Sequence, residues 1–138
     1  MLKRKKFQAY SFSSFKVSSN FLSSFKYAFQ GIFYTFKTQR NFRVHICLGF
    51  LAFVCGIWIQ LNLSELSILF LTISSVIFLE LINTSLESIV DLSVGKKYNK
   101  IAKISKDCAA GAVFVASLNS LIVAILLLLP PLYSKLTL

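Results

Sequence analysis

The chain has 138 residues, of which 56% are hydrophobic, and its formal net charge is +10. This length predicts one domain, and the hydrophobic content excludes an ordinary soluble protein and indicates a membrane protein. The basic residues alternate with apolar segments and form no continuous basic face, which argues against nucleic acid as a partner and favours anionic lipid or polyphosphate.

The N-terminal part of the chain predicts a tail and then a helix. Residues 1–19 are rich in Ser, Phe and Lys, lack the apolar core of a signal peptide, and are predicted to form a flexible tail that touches the membrane. From about 20 to 38, apolar residues recur at three- and four-residue spacing, which predicts an amphipathic helix in the membrane interface. A helix packed on the protein's own core would have the same pattern. The two interpretations are compatible if the helix lies in the interface and also covers a site.

Three apolar segments follow, at about 44–59, 66–83 and 108–129, and each has the character of a membrane-crossing helix. Pro130 and Pro131 are expected to end the third helix, because proline disrupts a helix interior. The predicted membrane domain is therefore 20–133, with a short C-terminal tail at 134–138.

The predicted fold is an all-α membrane protein with three transmembrane helices and an N-terminal interfacial amphipathic helix. Three spans enclose little volume, so a polar site in so small a protein predicts an oligomeric helical bundle. Cys47, Cys55 and Cys108 form no CxxC pair, which argues against disulfides or a zinc site and predicts small buried hydrophobic residues.

The distribution of charge predicts the orientation in the membrane. Nine of the 15 Lys and Arg residues precede the first span, none lies in 60–65, and five lie between the second and third spans. By the positive-inside rule, the N-terminus and the second connection are cytoplasmic. We therefore predict a multi-pass protein of the inner (plasma) membrane whose active site faces the cytoplasm.

A polar stripe continues the second span, and we call it the acidic stripe: Glu80, Asn83, Glu87 and Asp91. At about 100° per residue, offsets of 3, 7 and 11 place these side chains on one helix face. An ionised group in the bilayer costs roughly 3 kcal/mol or more. The stripe therefore requires a cation, a cavity or a partner, unless the helix has already left the membrane and the stripe is only its wet face.

Other polar residues near the span ends add to this pattern. Lys106 and Asp107 would suit a phosphate and a metal ion, although such a pair also commonly marks the end of a span. Gly95 and Lys96 lack the rest of a phosphate-binding loop, so a nucleotide would be held by separate acidic and basic side chains. The solitary His45 is assigned no chemistry.

The chemistry that these residues match best is phosphoryl transfer at the cytoplasmic membrane surface. Carboxylates would hold Mg²⁺, lysines would neutralise phosphate oxygens, and a carboxylate near the bilayer would be the general base for a lipid hydroxyl. The same residues would also suit a proton- or cation-conducting bundle.

Four segments carry recognisable motifs: SFKYAFQGI (24–32), FKTQRNFRVH (36–45), ELINTSLESIVDL (80–92) and AKISKDCAAGAV (102–113). Together they resemble the prokaryotic diacylglycerol kinase family, and most closely its undecaprenol-kinase-like branch. The resemblance covers about 20–130. It implies a small homotrimeric membrane kinase that uses ATP and Mg²⁺ to phosphorylate a lipid alcohol, either diacylglycerol or undecaprenol.

The resemblance also implies roles for individual residues. Glu80 would be the catalytic base, Glu87 would bind Mg²⁺, Asn83 would position the reacting groups and Asp91 would support the site. The residues that the resemblance places at the nucleotide are Tyr27, Gln39, Glu87, Lys97, Tyr98, Asn99, Lys106 and Asp107.

The sequence departs from the family at several of these positions. Gln39 stands where the family usually has a Glu that joins Glu87 at the metal, and an amide oxygen brings no charge, so weaker metal binding is predicted. Asn99 stands where His is common, and the stretch between Asp91 and Tyr98 is one residue longer. The alternative hypothesis is therefore a protein that has lost activity and serves as a structural or ion-conducting membrane subunit.

Overall fold

The computed structural model describes residues 21–95 and 97–137, so the tail predicted at 1–19 lies outside the described residues. This part of the chain contains four α-helices and no strand: α1 (Phe21–Thr38), α2 (Arg40–Trp58), α3 (Leu63–Val94) and α4 (Lys100–Thr137). Helices α2, α3 and α4 are each long and apolar enough to cross a membrane. The prediction of an all-α membrane protein with three spans is confirmed.

The chain divides into two compact units, one up to Phe33 and one from Tyr34 onward. In the first unit, α1 carries large apolar side chains at Phe21, Leu22 and Phe29, and all three are exposed. Exposed aromatic and aliphatic side chains on an amphipathic helix are typical of a helix that lies in a membrane interface.

In the second unit, a tight turn joins α2 to α3. Gln60 has a φ of 63°, and the amide of Leu61 donates to the carbonyl of Gly56 at 3.0 Å, which is a left-handed helix C-cap of the kind that usually contains glycine. Helix α3 then begins with a capping box, since Asn62 Oδ1 accepts from the Glu65 amide at 3.0 Å and Glu65 Oε2 accepts from the Asn62 amide at 2.9 Å. Glu65 therefore has a structural role at this turn.

The apolar core of the second unit lies beside this turn, at what we call the turn end of the bundle. Helix α3 makes its largest interface with α4 and a smaller one with α2. Ile59, Leu61 and Leu69 are buried together, and Leu66 and Leu132 pack against them. In lipid such contacts stabilise through close packing and not through removal of water. The opposite end of the bundle, the polar end, carries the acidic stripe.

Helix α4 does not end at Pro130 and Pro131 but continues to Thr137, so that prediction is wrong and 134–137 is helical. Each proline removes one backbone donor, but the turn beyond them is fixed by tertiary contacts. Leu132 packs on the core at the turn end. Lys135 Nζ donates to the Trp58 carbonyl at 2.7 Å and lies 4.4 Å from the centroid of the Trp58 ring.

Cys47, Cys55 and Cys108 are free. Cys55 packs beside the core at the turn end. Cys47 and Cys108 are exposed on the single chain, so the prediction of buried cysteines is wrong for these two. Their helix faces are not covered by another helix of the same chain.

Helices α2 and α3 approach closely at Gly49, where a Cβ atom would lie 2.5 Å from Cγ2 of Ile73. A β-branched side chain on a helix has one strongly preferred rotamer, so Ile73 cannot turn away without strain. We expect Gly49→Ala to destabilise the protein by about 1–3 kcal/mol, as overpacked cores do, measured by denaturant unfolding in mixed micelles. Gly31→Ala is the control, because no atom lies within 4 Å of a Cβ added there; unchanged stability of Gly49→Ala would contradict the close approach.

Candidate active site

Helix α3 carries the acidic stripe from a buried to an exposed position. Glu80 and Asn83 are buried, with 3% and 8% of their surface exposed, whereas Glu87 is half-buried and Asp91 is exposed. All four residues lie on one helix, so their order along its axis determines how the exposure of the side chains increases from Glu80 to Asp91. The stripe therefore runs from a buried position at Glu80 to an exposed one at Asp91.

The carboxylate of Glu80 faces helix α2. His45 Nε2 lies 3.4 Å from Glu80 Oε1, and the two side chains are 25% and 4% exposed. Removing a carboxylate from water is costly unless it gains a polar partner. His45 supplies that partner, although it was assigned no chemistry from its place in the sequence.

The carboxylate of Glu87 receives two side-chain amides. Gln39 Nε2 donates to Glu87 Oε2 at 3.3 Å, and Asn83 Nδ2 donates to Glu87 Oε1 at 3.2 Å. Both hydrogen bonds are long for N–H···O contacts. The structure thus brings together three residues that the sequence predicted to act at the metal and the reacting groups.

The position of Gln39 is set by the break between α1 and α2. Gln39 has an extended backbone, with φ of −100° and ψ of 114°, and its amide donates to the Thr35 carbonyl at 2.8 Å. Arg43 Nη1 donates to the carbonyls of Phe36 and Lys37 at 2.8 and 3.1 Å, which satisfies the C-terminal end of α1. Arg43 therefore fixes the junction that presents Gln39 to Glu87.

At the polar end, Lys106 connects α4 to the acidic stripe. Its Nζ lies 2.7 Å from Asp91 Oδ1, and more than half of the Asp91 side chain is exposed. An ion pair this exposed contributes little to stability. Lys106 can therefore exchange Asp91 for another anion at small cost.

A cavity of about 380 Å³ lies between the end of α3 and the start of α4, and we call it the loop cavity. Its lining includes five residues that the sequence predicted to contact a nucleotide: Lys97, Tyr98, Asn99, Lys106 and Asp107. Lys103, which the prediction did not include, also lines it. Asn99 has a structural role as well, since its Oδ1 caps α4 by accepting from the amides of Ile101 and Ala102 at 2.8 and 3.1 Å.

The residues around Glu87 fit a magnesium ion that is shared with a phosphate ligand. Asn83 Oδ1 is buried and has no hydrogen-bond partner in the described part of the chain. Together with the Glu87 carboxylate and the Gln39 amide oxygen, it would supply the oxygen ligands that Mg²⁺ prefers. No three His, Cys, Asp or Glu side chains of the described residues converge on one point, so phosphate oxygens and water would complete the coordination.

Tyr27 belongs to the first compact unit, so its role at the nucleotide stays a prediction.

The contact of His45 with Glu80 was missed, but the sequence contained a signal for it. Phe42, Gly49 and Gly56 are the buried residues of α2, and His45 is half-buried between the first two at helical spacing. A face that alternates between bulky and small residues packs against a neighbouring helix, so a polar residue within it points at that helix.

The fold and the candidate site define a small membrane protein with three spans and a cluster of polar and charged side chains at one end of its bundle. The sequence model of the family described as "Prokaryotic diacylglycerol kinase" matches residues 26–128. A protein named "Diacylglycerol kinase" from Synechocystis sp. is 48% identical over 122 residues, which cover 88% of this chain and 70% of that protein. A protein named "Undecaprenol kinase" from Bacillus subtilis is 40% identical over 114 residues, which cover 83% of this chain and 92% of that protein.

The chain therefore belongs to the prokaryotic diacylglycerol kinase family. The family that the motifs predicted is confirmed, and with it an enzyme of the phosphotransferase class with an alcohol acceptor.

Proposed function

We propose that this protein is an ATP- and Mg²⁺-dependent kinase that phosphorylates the hydroxyl group of a membrane lipid alcohol. The observation that carries the proposal is the acidic stripe, whose buried end is Glu80 and whose exposed end, Asp91, is bound to Lys106 at the loop cavity. An apolar substrate and a polyanionic one can meet along this single helix face.

Glu80 is proposed to be the general base. The lipid hydroxyl donates its proton to the Glu80 carboxylate while its oxygen forms a bond to the γ-phosphorus of ATP, and the bond between that phosphorus and the β–γ bridging oxygen breaks to release ADP. Asn83 lies between Glu80 and Glu87 on α3, so its amide can orient the groups that react.

The loop cavity is proposed to hold the nucleotide. Lys97 and Lys106 line it and can neutralise phosphate oxygens, while Tyr98 offers an aromatic face that is 82% exposed. Lys106 donates to Asp91, so to bind phosphate it must either break this hydrogen bond or donate to Asp91 and the phosphate at the same time. A triphosphate at this point reaches towards Glu87, where bound Mg²⁺ would offset the charge on its oxygens.

The membrane arrangement is proposed from charge and packing. Residues 20–133 form the kinase domain, and the polar end faces the cytoplasm of a bacterial cell, because the Lys-rich connection between α3 and α4 lies there. The helices carry many exposed large apolar side chains, and Ala109 and Val113 are the buried residues of α4. A homotrimer would cover part of this surface and enclose each site; native mass spectrometry in detergent measures the subunit number.

The acceptor is proposed to be diacylglycerol or undecaprenol, the lipids named in the two relatives. Both lipids present one hydroxyl at the membrane surface and differ mainly in their tails. Apolar contacts discriminate weakly between apolar tails, so the residues at the polar end fit either acceptor.

The function is tested by measuring transfer of labelled phosphate from ATP to each lipid separately, in mixed micelles with and without Mg²⁺. We expect one lipid to be phosphorylated at the higher rate, and only with Mg²⁺ present. Absence of transfer to both lipids from a folded protein would contradict the proposal and favour a structural membrane subunit.

A further inference from the structure

The contact between His45 and Glu80 joins two helices at the most buried carboxylate of the site. Nε2 of His45 on α2 lies 3.4 Å from Oε1 of Glu80 on α3. The Thr84 hydroxyl, which is also nearby, donates at 2.9 Å to the Glu80 backbone carbonyl and not to the carboxylate. A residue of α2 is therefore in a position to orient this carboxylate.

His45 also borders a second cavity, which we call the apolar cavity. It has a volume of about 370 Å³ and lies among α2, α3 and α4, and its lining includes His45, Gly49, Leu69, Val76, Ser117 and Leu121. The His45 imidazole thus lies between the apolar cavity and the buried carboxylate of Glu80. A lipid that places apolar groups in this cavity brings its polar head to His45 and Glu80.

We propose that His45 is a positioning residue for the general base. When the lipid binds, its Nε2–H donates to Glu80 Oε1, which lies 3.4 Å away, and holds the carboxylate so that Oε2 is directed at the lipid hydroxyl. The separation of 3.4 Å is a polar contact that is not yet a hydrogen bond, and catalytic contacts of this kind often tighten only when substrate binds. The inference rests on the proposed function, because positioning has a purpose only if Glu80 accepts a proton.

A purely structural role makes a different prediction. If His45 only filled space between α2 and α3, an apolar side chain of similar size would replace it without slowing the reaction. If its donor orients Glu80, loss of the donor lowers kcat, while the KM values for ATP and for the lipid change little, because the substrates still bind. Misplacing a reacting group by about 1 Å can cost on the order of 100-fold in rate.

The first test compares His45→Leu with His45→Gln, whose side-chain amide can place a nitrogen donor near the position of Nε2. We expect His45→Leu to lower kcat by about 10- to 100-fold with KM values within about threefold, and His45→Gln to recover most of the loss. Cys47→Leu on the exposed side of α2 is the control and should keep the wild-type rate. Equal losses in both His45 variants, or a wild-type kcat in His45→Leu, would overturn the inference.

The second test does not depend on activity and uses the fact that His45 is the only histidine of the chain. Selective ¹⁵N labelling of histidine reports its Nε2 directly by nuclear magnetic resonance. We expect a changed Nε2 signal in Glu80→Gln and an unchanged one in Glu65→Gln, because only Glu80 lies beside the imidazole. An Nε2 signal that is the same in the wild type and in Glu80→Gln would overturn the inference, even if the enzyme is active.

The two tests also separate failure of this inference from failure of the proposed function. If the wild type phosphorylates a lipid but His45→Leu is fully active, the kinase assignment stands and the positioning role is wrong. If the wild type transfers no phosphate although the Nε2 signal responds to Glu80→Gln, the proposed function fails. The positioning role then fails with it, and the contact is structural.

Discussion

The substitution Glu80→Gln is expected to abolish phosphate transfer, with a loss of about 10²- to 10⁴-fold, the range that general acid–base catalysis supplies. Glutamine keeps the size and shape of the side chain and can still contact His45, but its amide cannot accept the proton of the lipid hydroxyl. A neutral amide costs less to bury than a carboxylate, so the substitution should not destabilise the fold at this buried position. Initial rates with saturating ATP, Mg²⁺ and lipid measure the loss.

Glu65→Gln is the matched control for this prediction, since Glu65 lies on the same helix at the turn end. A glutamine can replace glutamate in a capping box, so α3 should still begin at the same place and the rate should remain that of the wild type. The helical content and the thermal midpoint of both variants should match the wild type. A Glu80→Gln enzyme that retains more than a tenth of the wild-type rate would show that Glu80 is not the base.

The features that could be predicted from the sequence depend on residues close together in the chain. The acidic stripe follows from the helical repeat alone, and α3 does run unbroken through Asp91. The loop cavity gathers Lys97, Tyr98 and Lys106, which lie within ten positions of one another. In both places the sequence spacing already determines the spatial proximity.

The features that were missed depend on how separate helices align. His45 meets Glu80 across 35 positions of sequence, and that pairing requires the axial register of α2 against α3, which close approach at Gly49 helps to fix. Helix α4 continues past its prolines because Lys135 contacts Trp58, a residue of another helix. Local propensity predicts neither contact, since each one is made by tertiary packing.

The substitution Glu87→Gln is expected to raise the Mg²⁺ concentration needed for half-maximal activity by at least about 10-fold, because even outer residues of metal sites change affinity by 10- to 100-fold. Glu87 is the one carboxylate in contact with both Gln39 and Asn83, so its loss leaves only neutral oxygens around the proposed ion. Turnover at saturating Mg²⁺ should fall as well, since less positive charge is held against the phosphate oxygens. Initial rates over a series of free Mg²⁺ concentrations, with ATP held constant, measure both effects.

Gln39→Glu is the reciprocal variant and should shift the same curve in the opposite direction. It replaces the amide that donates to Glu87 at 3.3 Å with a second carboxylate, and two adjacent carboxylates repel each other until a cation lies between them. Higher charge on the ligands favours tighter binding of a divalent cation, so less Mg²⁺ should be required. If Glu87→Gln and Gln39→Glu both leave the Mg²⁺ requirement unchanged, the ion is bound elsewhere, and the hydrogen bonds of Glu87 serve only to join α2 and α3.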